Sequence, residues 1–100
     1  MKGKEGLIWD QVRRMLNSGK WEIKFQLNPH ISGEVDPVEC IIYLDPRDDM
    51  LPVLLHECLH IVLHQADEDI VDGWRYNLMN KMRAKEWRTL FRLFLKNYRG

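Results

Sequence analysis

The chain has 100 residues, 45% of them apolar, and its 15 Lys and Arg balance its 15 Asp and Glu. That length supports one small domain, residues 1–100, with a limited core. The composition excludes a disulfide framework, with only two cysteines, and a membrane-spanning helix, since no stretch approaches ~18–20 apolar residues.

Read in chain order, Leu7 or Ile8, Val12, Met15 and Leu16 mark an amphipathic first helix, closed by Asn17-Ser18-Gly19. Trp21, Ile23, Phe25 and Leu27 alternate with Glu22, Lys24 and Gln26, the pattern of a half-buried strand. Asn28-Pro29 opens a turn region that runs through Gly33 to Pro37. Residues 39–45 predict a second strand, paired with the first as a long-looped hairpin in a small antiparallel sheet. The next helix holds Leu51, Leu54, Leu55, Cys58, Leu59, Val62 and Leu63 at helical spacing, with Asp48 or Asp49 as cap and Pro52 in the first turn. Helices over about 68–82 and 84–98 follow, nearly continuous because neither Pro nor Gly separates them. The expected class is α+β: a small sheet packed on helices. Residues 1–6 are polar and glycine-bearing, so no signal peptide is expected. The two cysteines read as reduced, buried small hydrophobes, which predicts a cytoplasmic protein.

One segment specifies chemistry. His56-Glu57-Cys58-Leu59-His60 places two imidazoles four residues apart on one side of an otherwise apolar helix. Buried polar groups need partners, and a zinc ion is the natural partner for two neutral histidines. The adjacent Glu57 is then positioned as general base on a metal-activated water. A third protein ligand must come from elsewhere. His64 continues the spacing but lies ~12 Å from His56 along the axis at ~1.5 Å per residue. That span is too long for metal–nitrogen bonds of about 2.0–2.1 Å. Position 66 is Ala, so the longer motif with a later His is absent. Cys58 sits ~200° around the helix from His56 at ~100° per residue and faces away.

The acids Asp67-Glu68-Asp69 and Asp72 open the following helix, where negative charge is favoured at the N-terminus. An acid in that first turn can fold back over the motif helix. Glu68 is the expected third ligand, with Asp69 as its competitor and Glu86 as a more remote alternative. Asp72, four residues on, is placed to accept the other ring N–H of a ligand histidine.

These residues resemble the short zinc metallopeptidases of the zincin group, in particular the Glu-zincin (gluzincin) branch. There a Glu from a later helix is the third ligand and an Asp four residues on orients a ligand His. The stretch Cys40-Ile41-Ile42-Tyr43-Leu44-Asp45-Pro46, followed by Leu54 to His64, is also similar to the ImmA/IrrE-type and phage-type minimal peptidases. The resemblance covers roughly residues 39–80. It departs at Leu59, where those families often have Gly, and lacks their Glu-x-x-Ala-Asn pattern. No downstream His or Tyr stands in an evident oxyanion motif, leaving Arg75, Tyr76 and His64 as candidates.

The resemblance implies a small zincin-like domain that is a zinc-dependent metallopeptidase. His56, His60 and Glu68 would be its metal ligands, Glu57 its general base, and a peptide or protein its substrate. It also implies an edge strand above the metal that pairs with extended substrate, here assigned to residues 39–45. His30, in the preceding loop, is a possible visitor to the site. The charge distribution supplies a second reading. Residues 34–72 carry eleven acids and one base, Arg47, whereas residues 75–99 carry eight bases and one acid, Glu86. In the last helix Trp87, Leu90, Phe91, Phe94, Leu95 and Tyr98 keep helical spacing among Arg83, Lys85, Arg88, Arg92, Lys96 and Arg99. Core packing with a solvated basic face accounts for this pattern. The alternative is a non-catalytic zinc-binding domain that meets a protein or nucleic acid through this helix.

Overall fold

The computed structural model describes residues 1–28 and 30–100, so Pro29, with which the turn region opens, lies outside the described residues. Four helices surround a three-stranded mixed sheet: α1 Gly3–Asn17, β1 Glu22–Phe25, β2 Gly33–Asp36, β3 Ile41–Leu44, α2 Met50–Val62, α3 Glu68–Lys81 and α4 Ala84–Asn97. The α+β class stands. No helix among the described residues is long and apolar enough to cross a membrane.

The sheet differs from the expected hairpin. Its order is β1-β3-β2, with β1 parallel to β3 and β2 antiparallel to it. The hairpin is therefore between β2 and β3, and residues 39–45 supply the central strand rather than an edge. β3 carries the most continuous apolar run, and Ile42 and Leu44 are buried on it, which suits a strand flanked on both sides. Within the expected turn region, Gly33–Asp36 becomes a strand because β3 offers it a hydrogen-bonding edge. Cys40, in the left-handed region at φ 57°, closes the turn between them.

The two outer edges of the sheet are treated differently. On the β1 side the C-terminal segment joins as a bridge between Ile23 and Tyr98, and the Arg99 N–H donates to the Ile23 carbonyl at 2.9 Å. On the β2 side nothing among the described residues pairs with the strand. Asp45 N–H donates to Ser32 C=O at 2.9 Å. In the antiparallel alternation, residues 34 and 36 then also turn their polar backbone toward β3. The N–H and C=O of Gly33 and Val35 face outward.

α2 is the hub, in contact with all three other helices and with β2 and β3. Leu54, Leu55, Cys58 and Leu59 are fully buried along it, as its spacing predicts. Asp49 occupies the N-cap position, but its side chain accepts no capping bond, and Asp48 lies outside the helix. Burial pushes the Cys58 thiol well up, and neither cysteine is in a disulfide. α1 buries Ile8, Trp9, Val12 and Leu16 and is followed by Gly19 at φ +80°, a conformation glycine adopts at no steric cost.

α3 and α4 are separate helices, not a near-continuous one. Met82 is extended and buried, and the Arg83 N–H donates to Glu86 Oε1 at 2.9 Å, starting the new helix without Pro or Gly. α4 buries Glu86, Leu90, Leu93, Phe94 and Asn97. Asn97 Nδ2 donates to the carbonyls of Leu16 and Leu93, fixing α4 against the end of α1. The buried stripe is thus rotated from the expected one, and Phe91 and Leu95 are exposed among the arginines.

Candidate metal centre

The centre is assembled by a tight chain reversal. α2 ends at Val62, and Gln65 takes the left-handed conformation at φ 77°, turning the chain back over the helix. Asp67 then caps α3, its Oδ1 accepting from Ile70 N–H at 2.9 Å. Glu68 becomes the first residue of α3, directly across from the motif face of α2.

Three groups converge there. His56 Nε2 lies 2.7 Å from Glu68 Oε1, His60 Nε2 lies 3.0 Å from Glu68 Oε2, and the two Nε2 atoms are 3.1 Å apart. His56, His60 and Glu68 form the group able to hold a metal ion, their ligand atoms all within 4.8 Å of one another. Asp72 Oδ1 sits 3.2 Å from His56 Nδ1 on the far side of the ring. If Nδ1 carries the proton and donates it to Asp72, the Nε2 lone pair of His56 points at the Glu68 carboxylate. Two acceptors then face each other at contact distance, an arrangement a cation between them resolves. The donor set, two imidazoles and one carboxylate, fits that ion. Burial acts to raise the Glu68 carboxyl, but hydrogen bonding to His56 and the charge and hydrogen bond of His60 outweigh it and hold it below the ordinary value.

Glu57 points into the same groove. It is buried, and desolvation raises its carboxyl above the ordinary value, opposed by the charges of His56 and His60. Gly33 is what lets β2 lie against it. A Cβ at Gly33 would meet Val53 Cγ1 at 2.7 Å and Glu57 Oε1 at 3.2 Å. The groove, about 680 Å³, is lined by Ile31, Ser32 and Gly33 on one wall, Val53 and the site residues on the other, and Arg75 at its rim.

The structure brings together His56, Glu57, His60, Glu68 and Asp72. Among the described residues Asp69 is not in the metal group, and Glu86 is committed to the start of α4. Arg75 alone of the three oxyanion candidates lines the groove, while Tyr76 is exposed and His64 lies beyond the end of α2. His30 is exposed and outside the groove. The participation of β2 was not legible beforehand. Its one signal was Gly33, since a glycine inside a strand marks close backbone approach. No protein-family model matches the chain, and no curated protein or solved structure matches it.

Proposed function

We propose that the protein is a minimal zincin-type metallopeptidase of the Glu-zincin kind, with His56, His60 and Glu68 holding zinc and Glu57 as general base. The observation that carries this reading is Glu57: a buried carboxylate beside the three-ligand group, with no donor among the described residues engaged on it. A purely structural metal site has no use for such a group. Two nitrogens and one carboxylate are a set that catalytic zinc uses, leaving a position open. When bound, the ion supplies Lewis acidity and lowers the pKa of water.

The chain's own residues do the rest. Glu57, its basicity raised by burial, takes a proton from water and returns it to the departing amine. Asp72 holds the His56 ring by its Nδ1 side, and Arg75 brings positive charge to the groove where an oxyanion develops. The outward N–H and C=O of Gly33 and Val35 supply the ladder on which an extended peptide lies. Elemental analysis and peptide hydrolysis test the reading together. One zinc per chain is expected, lost in His60→Ala and Glu68→Ala and kept in Asp69→Ala. Glu57→Gln should keep zinc and lose hydrolysis by about 10²–10⁴-fold. Unchanged hydrolysis in Glu57→Gln refutes the mechanism. Zinc without hydrolysis of any peptide tested leaves a non-catalytic zinc domain acting through α4.

A further inference from the structure

A second recess, about 500 Å³, opens on the other side of His60. Trp21, Val35, Pro37, Ile61 and Ala66 give it apolar walls, and the exposed Lys20, His64 and Gln65 add polar groups to its lining. His60 lines both recesses, so they adjoin at one edge of the candidate metal group. β2 runs along both, Gly33 lining the first and Val35 the second. The left-handed turn at Gln65 fixes the far wall by carrying Ala66 back from the end of α2.

We propose that this second recess is the subsite for an apolar side chain lying N-terminal to the bond cleaved. The proposal rests on the peptidase reading for the cleavage, but not for the binding. The polarity follows from the strand. β2 runs from Gly33 toward Asp36, and each outward-facing residue presents its N–H and C=O side by side. An antiparallel partner returns both bonds from a single residue and is the more stable pairing. A peptide so placed has its N-terminal portion beside Val35 and its C-terminal portion beside Gly33 and Glu57. The side chain that reaches Trp21, Ile61 and Ala66 is therefore upstream of the scissile bond. Lys20 at the rim disfavours a basic residue there.

The test uses zinc-loaded full chain and blocked peptides that vary only at the upstream position. Cleavage is read by mass spectrometry. Binding is read on the zinc-loaded Glu57→Gln protein, from the amide shifts of Val35, Ile61 and Ala66. Leu, Ile or Phe should be preferred over Gly or Lys by about tenfold, the scale of a filled hydrophobic pocket. Ala66→Phe, which fills the recess, should collapse the Leu-over-Gly ratio by about the same factor with zinc content unchanged. Lys20→Glu, on the exposed rim and safe for folding, should relax the discrimination against Lys. Apolar-dependent shifts at Val35, Ile61 and Ala66 without any cleavage by the unsubstituted protein support the subsite and refute only hydrolysis. Cleavage or binding indifferent to the upstream residue, or no binding at all, overturns the proposal.

Discussion

The turn after β3 and the groove face of α2 each bury a carboxylate and treat it in opposite ways. Asp45 is 3% exposed and Glu57 is 7% exposed. Asp45 accepts from the backbone N–H of Asn28 and Arg47 and from the Arg47 guanidinium, at 2.6 Å for the closest contact. The Arg47 hydrogen bonds hold its carboxyl far below the usual carboxylate range. Glu57 has no such donors, and burial moves it the other way. Glu86, as buried as Glu57, resembles Asp45 in serving a backbone N–H. A largely buried carboxylate that no protein donor engages, and that keeps its oxygens on an open groove, adds no hydrogen bond to the fold, and this sets Glu57 apart from Asp45 and Glu86.

This contrast is open to direct attack through stability. The largest effect is expected at Asp45, where Asp45→Asn removes the charge that several donors converge on and should lower the melting temperature at pH 7. The sign of the pH dependence follows from the lowered carboxyl. Its stabilisation is present above the unfolded value of about 3.9 and is lost as pH falls toward the folded value. The gap between unsubstituted protein and Asp45→Asn should therefore close on acidification below about pH 4. A gap constant with pH would mean that Asp45 acts by packing alone. Glu86→Ala comes next: it exposes one backbone donor at the start of α4, at a cost of about 1 kcal/mol in urea denaturation. The smallest effect is expected at Glu57. In chelator, Glu57→Gln should leave stability at pH 7 unchanged or slightly raised, since no hydrogen bond is lost and the charge that burial disfavours is removed. A large destabilisation there would make Glu57 a structural residue like the other two.

Much of this arrangement was legible in the sequence, and the division has a physical basis. The helices announce themselves through apolar spacing, and the metal group through residues close in sequence: the His pair, then an acid at the start of the next helix with Asp72 four residues on. What was not legible depends on distant pairing. Gly33–Asp36 holds a single apolar residue, Val35, between Gly and Pro, so no alternation marks it as a strand. Its existence depends on β3, and the order β1-β3-β2 depends on which strand buries most. The boundary between α3 and α4 was expected where it stands, but its sharpness was not, because a glutamate three residues beyond Arg83 starts α4 in place of a helix-breaking residue. The rotated stripe of α4 follows from Asn97, a polar residue buried because two carbonyls need its amide.

The reversal at Gln65 has a consequence for how the protein forms. His56 and Glu68 stand 12 positions apart, and the loop that joins them is short, so little chain entropy is lost in closing it. The candidate ligand group therefore belongs to a local helical hairpin that can assemble early, while the groove against Glu57 awaits the slower, long-range docking of β2. The His56-His60-Glu68 group and the wall that β2 lays against it are thus kinetically distinct layers of one fold, and substitutions in the sheet can erode the second without dissolving the first.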